Sequence, residues 1–395
     1  MAPKVSSMGF IQPFWLVVLA ILLSACGSPL VSHPIQVGAT QSALYLPLLE
    51  NKRVALVVNQ TSRVNGQHLV DFLLAKEVNV VRIFAPEHGF RGDHDAGAYV
   101  NNDIDSKTGL PITSIYGQHK KPPKHIMDQV DMVIFDIQDV GVRFYTYISS
   151  MHYMMEAAAE SSTPFMVLDR PNPNGRFTDG PILDPAYQSF VGMHPIPVLH
   201  GMTVAELARM IKGESWFKNA DSLDLITIAN THYNRNMSYV LPVAPSPNLP
   251  NHQAVQLYPS LCFFEATPVS VGRGTDFPFQ VIGHNQVPLG DFAFTPESRT
   301  GAALHPKLQD KALLGIDLRT SSQQGLDLQL LISTYQQFKA ANLNFFERAD
   351  FMDKLAGTKE LRLAIEQGKS AKQIKQSWQS ELQAFKQQRQ PYLLY

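Results

Sequence analysis

The chain has 395 residues, 45% of them hydrophobic and 17% charged, which is enough apolar material for a large core. That composition excludes a disordered or coiled-coil protein. With 33 basic and 34 acidic residues and no charge block, the net charge of −1 argues against nucleic acid as a partner.

Lys4 precedes an apolar run from Phe14 to Leu23. The run is too short to span a bilayer and suits the core of a signal peptide. It ends in Leu23-Ser24-Ala25-Cys26, which resembles a bacterial lipobox. On that reading residues 1–25 are a removed leader, Cys26 is lipidated, and 26–41 form a tether to the first domain. The expected location is extracytoplasmic, on the periplasmic side of a bacterial membrane. Gly27, rather than Asp, after Cys26 favours the outer membrane. Cys262 is then left alone in Leu261-Cys262-Phe263-Phe264, where buried packing is the expected role.

Strands are expected at 53–59, 79–85, 131–137, 164–168 and 223–228, and helices at 68–76, 146–161 and 203–212. Thr203 with Glu206 forms a capping-box pattern at the start of the last helix. Alternating strands and helices predict a parallel, Rossmann-like α/β domain over 42–240. In such sheets ligands bind beyond the carboxyl ends of the strands. Polar clusters fall there: Asn59-Gln60-Thr61-Ser62, Glu87-His88-Gly89, Gln138-Asp139 and Asp169-Arg170. A proline-rich link, 245–250, is expected to be extended and to lead into a smaller α+β domain over 241–395. Helices are expected there at 322–340, 358–366 and 371–387. Neither G-x-G-x-x-G nor a phosphate-binding G-x-x-x-x-G-K-[ST] is present, so no cofactor is expected.

The segment Glu87-His88-Gly89-Phe90-Arg91-Gly92-Asp93-His94-Asp95 is dense in titratable groups. A metal site on His88, Asp93, His94 and Asp95 has suitable ligand types but a spacing that matches no standard motif, so no metal is expected. Glu87, at a strand end beside proline and glycine, is placed to act as a general acid. Asp136 and Asp139 flank the end of the third strand, with Tyr145 and Tyr147 offering faces for sugar stacking. Asp169, Arg170 and Asn172 form a rigid polar loop. Glu265, beside two phenylalanines, needs a partner; Arg273 either pairs with it or both face a cleft. No G-x-S-x-G nucleophile is present. What remains is a carboxylate-based site of the kind used in glycoside hydrolysis.

Several long motifs carry a resemblance. They are Pro86-Glu87-His88-Gly89-Phe90-Arg91-Gly92, the stretch from Phe135 to Tyr147, Leu168-Asp169-Arg170-Pro171-Asn172-Pro173, Gly272-Arg273-Gly274-Thr275 and Tyr392-Leu393-Leu394-Tyr395. Together they resemble the NamZ family of exo-acting β-N-acetylmuramidases, over nearly the whole chain from about residue 42. The resemblance implies a Rossmann-like domain, a smaller C-terminal domain, a cleft between them and release of N-acetylmuramic acid from the non-reducing end of peptide-free peptidoglycan fragments. It implies that Glu87 is catalytic; the chemistry of glycoside hydrolysis asks for a second carboxylate, Glu265 or Asp139. His88, Arg91, Asp136, Tyr145, Tyr147, Asp169, Arg170, Asn172 and Arg273 are then expected to contact the glycan. Arg170, Arg91 or Arg273 can recognise the lactyl carboxylate of muramic acid. Where Glu-Gly-Thr is expected, this chain has Glu265-Ala266-Thr267, whose extra methyl is expected either to crowd the cleft or to alter the backbone there. Two other classes remain open: a non-catalytic glycan-binding lipoprotein and a metal-dependent hydrolase.

Overall fold

The valine-rich segment Val54–Val58 (β1) is buried at every position and forms the centre of a sheet. The computed structural model describes residues 1–5, 9, 34–90 and 103–395. Cys26, Arg91 and the group Asp93-His94-Asp95 lie outside the described residues. Among the described residues this sheet has seven strands. They are β1, Val80–Ala85 (β2), Asp103–Ile104 (β3), Pro111–Ser114 (β4), Met132–Asp136 (β5), Phe165–Leu168 (β6) and Leu225–Ile228 (β7). Their spatial order is β7-β6-β5-β1-β2-β4-β3. All pairings are parallel except that of β3 with β4. The chain builds outward from β1 through β2 and β4, then returns to lay β5 on the other side of β1. That reversal makes the carboxyl ends of β1 and β5 the switch point at which doubly wound sheets bind ligands.

Side-chain alternation sends the strands into two cores. Ala55, Val57, Phe84, Val133, Phe135, Phe165 and Val167 face a core shared with helices Tyr147–Glu160 and Val204–Gly213. Val54, Leu56, Val58, Ile83, Ile134 and Leu168 face the other, covered by Leu69–Ala75. Burial on both faces explains why the central strands β1, β5 and β6 read as apolar runs; the edge strands β3 and β4 are not buried and do not read that way. The Thr203 capping box is formed in both directions.

Beyond the sheet lies a smaller α+β part. It holds helix His252–Leu261 and a three-stranded antiparallel sheet of Val281–His284, Phe292–Phe294 and Leu313–Asp317. Its apolar residues, including Phe263, Leu328 and Phe385, continue the first core. Residues 35–395 thus form one compact unit. Three expectations change. The proline-rich link is a tight turn rather than extended: the Leu249 amide donates to the Ser246 carbonyl at 3.0 Å, and Ser246 Oγ accepts from the Asn248 amide. The helix expected at 322–340 begins only at Gln329, and that expected at 371–387 is broken at Trp378 into Ala371–Ser377 and Gln379–Gln388.

Candidate active site

Glu87 sits two residues past the end of β2. The Gly89 amide donates to the Pro86 carbonyl at 3.0 Å, closing a turn with Glu87 and His88 at its corner. His88 has φ 69°, a left-handed conformation that costs a residue with a side chain on the order of 1 kcal/mol. The turn aims the Glu87 carboxylate into a cavity of about 720 Å³, a volume typical of small-ligand sites.

Neighbouring elements hold that carboxylate. Tyr116, just past β4, donates its hydroxyl to Oε1 at 3.0 Å, and Thr146 donates to Oε2 at 2.7 Å. Thr146 occupies the N-cap position of Tyr147–Glu160, yet its side chain makes no capping bond. A side-chain cap stabilises a helix by about 1 kcal/mol; here the hydroxyl serves Glu87 instead. Burial, and then the Glu87 charge, push the Tyr116 phenol well above its usual range, so it remains a protonated donor.

A second carboxylate reaches the same cavity. Glu265 belongs to the 3-10 helix Cys262–Ala266, and Arg273 Nε donates to its Oε1 at 2.9 Å. Gly272 and Gly274, with φ 80° and 83°, bend the chain sharply on either side of Arg273, and its guanidinium stacks 5.0 Å from the Phe279 ring centroid. Desolvation pushes the Glu265 carboxyl up, but the charges of Arg273 and Lys307 and the Arg273 hydrogen bond together hold it below the usual range. An apolar setting therefore does not make it an acid: it is an ionised group. Arg273 both pairs with it and lines the cavity.

His88, Tyr145 and Tyr147 also line the cavity. The two tyrosine rings meet edge to face at 5.0 Å, and the Tyr145 hydroxyl donates to the Pro245 carbonyl at 2.8 Å. Asp139 is buried beside these tyrosines and is not on the cavity wall. Its Oδ2 accepts from the Gly141 amide at 2.6 Å, while Oδ1 has no hydrogen-bond partner among the described residues. Burial pushes its carboxyl up to about 7, against the pull of the Gly141 and Val140 amides.

Four residues expected to contact the glycan do other work. Asp136 and Arg170 form a buried two-pronged ion pair at 2.6 and 2.9 Å. Asp169 accepts from Thr203 Oγ1, the Ala205 amide, Asn230 Nδ2 and the Tyr395 hydroxyl. Asn172 accepts from the Asn174 amide and donates to the Met202 carbonyl, and a Cβ on Gly141 would lie 2.0 Å from its Oδ1. None of the four lines the cavity. Ala266 is wholly buried and also off the wall, so its methyl does not crowd the cleft. Cys262 lines the cavity, but burial pushes its thiol up to about 12, a setting that suits packing rather than attack.

Sequence reasoning did not single out Tyr116, Thr146, Lys307 or Arg348. The first was findable: it follows a short strand, Pro111–Ser114, whose carboxyl end lies beside that of β2.

Comparison with known proteins comes to the same place. Residues 54–253 match the model described as exo-beta-N-acetylmuramidase NamZ, N-terminal, and residues 256–395 match its C-terminal counterpart. The chain is 38% identical over 374 residues to the peptidoglycan beta-N-acetylmuramidase NamZ of Bacillus subtilis strain 168, covering 89% of each chain. Two crystal structures of DUF1343 family proteins from Bacteroides fragilis NCTC 9343 are similar. One shares 46% identity at TM-score 0.84, covering 92% of this chain and 99% of the other. The second shares 29% identity at TM-score 0.79, covering 91% and 99%.

Proposed function

The chain belongs to the exo-β-N-acetylmuramidase NamZ family of glycosidases, and from that premise we propose that it releases N-acetylmuramic acid from the non-reducing end of peptidoglycan fragments, with Glu87 as general acid. One observation carries the assignment: two carboxylates with different surroundings face one cavity. Glycosidases divide their work between such groups, one giving a proton to the leaving oxygen and the other remaining charged. Glu265, ringed by Arg273 and Lys307, is the ionised member. It stabilises the positive charge that develops at the sugar or orients the attacking water. Glu87 is held by two hydroxyls, which can rotate to accept a hydrogen bond as well as donate one. It can therefore exchange a proton with the glycosidic oxygen without losing its position. Tyr145 and Tyr147 provide an aromatic wall for the sugar ring.

Anchoring is a second part of this reading. The Leu23-Ser24-Ala25-Cys26 pattern after a short apolar run supports lipidation at Cys26 and a place on the periplasmic side of a bacterial membrane, the outer membrane by the residue that follows. A single fractionation tests both parts. Cells producing the protein should hold chelator-insensitive activity on a chromogenic N-acetylmuramic acid glycoside in their membrane fraction, and Cys26→Ser should move it to the soluble fraction. Binding without turnover, or activity that chelator removes and zinc restores, would sink the glycosidase mechanism. Activity that stays membrane-bound in Cys26→Ser would sink the anchor.

A further inference from the structure

The ionisable side chains on the cavity wall are unevenly matched. Among the described residues, besides Glu87, two histidines, three tyrosines and Cys262, they comprise Glu265, Arg273, Lys307 and Arg348. Arg273 is neutralised by Glu265 at 2.9 Å. Lys307 turns its ammonium onto the carbonyls of Phe264, Thr267 and Val269, where it ties off the end of the 3-10 helix. Arg348 has no such use. Its backbone amide donates to the Ala266 carbonyl at 3.3 Å, which fixes its Cα beside that same helix. Its guanidinium lies 4.3 Å from the Phe351 ring centroid and makes no hydrogen bond or ion pair among the described residues. Its charge is felt at both Glu265 and Lys307. Glu347, its neighbour in sequence, is off the cavity wall. Among the described residues neither Lys307 nor Arg348 has a carboxylate at ion-pair distance, and of these two only Arg348 leaves its donors uncommitted.

A cavity that hydrolysed a neutral sugar would gain nothing from this excess. N-acetylmuramic acid differs from N-acetylglucosamine by a lactyl ether that ends in a carboxylate. A planar guanidinium with its fork unoccupied, steadied on a ring, is matched to a carboxylate in charge and geometry. We propose that Arg348 forms the subsite for the lactyl carboxylate, an inference that rests on the muramidase reading. Arg170 cannot serve, because Asp136 occupies its fork, and the charge of Arg273 is already paired with Glu265 through Nε. An amide-linked peptide on the lactyl group removes the negative charge, so Arg348 selects the free acid and disfavours the peptide-substituted sugar.

The test compares kcat/KM of the purified enzyme on chromogenic β-glycosides of N-acetylmuramic acid, its lactyl amide and N-acetylglucosamine. Wild type should prefer the free acid. In Arg348→Gln the rate on the free acid should fall by about 10- to 100-fold, to the level of the amide, as expected when one partner of a charge pair is removed. The rates on the two uncharged substrates should not change. Arg348→Lys should keep part of the preference. Because Arg348 is exposed, the variants should keep the wild-type melting temperature. An unchanged acid-to-amide ratio in Arg348→Gln would overturn the proposal and leave the muramidase reading intact. Failure of wild type to cleave either muramic substrate would overturn both.

Discussion

At the scale of single residues, Glu87 and Glu265 face one cavity, each held by donors from neighbouring segments. The Glu87 turn and the Glu265 and Arg273 motifs stand out in the sequence, and the structure brings them to one cavity. Asp136 and Arg170 look equally functional in a linear reading. Their ion pair spans 34 positions of sequence, and only the folded chain shows that each consumes the other. Arg348 shows the reverse case: an unremarked arginine becomes conspicuous because its guanidinium makes no ion pair among the described residues. Asp139 yields a pH prediction. Its folded pKa, about 7, lies above the ordinary value of about 3.9, so the folded chain keeps a proton that the unfolded chain releases. The resulting stabilisation is complete below about pH 4 and is lost as pH rises through about 7. Asp139→Asn removes that titration. Its melting temperature relative to wild type should rise between pH 4 and pH 8, by a difference worth roughly a few kcal/mol at most. A gap that stays constant with pH would show that Asp139 is ionised throughout. Activity should persist in this variant, since Asp139 is off the cavity wall.

At the scale of elements, periodicity located five strands and three helices of the sheet domain to within a residue or two, because the central strands are buried apolar runs; it missed the edge strands Asp103–Ile104 and Pro111–Ser114, which are short and not buried. Proline misled in two places. The helix His252–Leu261 contains Pro259 and was not foreseen. Pro259 has no amide proton to give to the Val255 carbonyl, one turn earlier. Asn174 Nδ2 reaches that carbonyl at 3.4 Å and the Val140 carbonyl at 2.9 Å, so a side chain from the sheet domain takes up the bond the proline leaves open. Asn174→Ala should therefore orphan buried carbonyls and lower stability by about 1–3 kcal/mol, read as a shift of the denaturation midpoint. A shift below about 0.5 kcal/mol would mean that the helix tolerates Pro259 unaided. The Pro245–Pro250 region tightens into a turn for a local reason as well: Ser246 Oγ captures the amide two residues on.

For the whole molecule, the alternation of strands and helices specified a doubly wound sheet, and topology then placed the cavity near the carboxyl ends of its strands. The way the C-terminal part is fastened to that sheet was not legible, since it depends on contacts far apart in sequence. Arg143, wholly buried, donates to the carbonyls of Pro181, Ile196 and Leu355, tying the segment that carries Tyr145 and Thr146 to a helix of the smaller part. The Tyr395 hydroxyl returns to Asp169 at the end of β6, and Glu206 accepts from the Leu394 amide at 2.7 Å. These ties fix the two carboxylates on a single frame, which general acid catalysis requires. The most direct measurement is therefore kcat/KM of wild type and Glu87→Gln on a purified disaccharide with N-acetylmuramic acid at its non-reducing end. Wild type should release the free sugar, and Glu87→Gln should lose about 10²- to 10⁴-fold in rate with its melting temperature unchanged. A Glu87→Gln enzyme within tenfold of wild type would contradict the assignment of Glu87 as the hydrolytic centre.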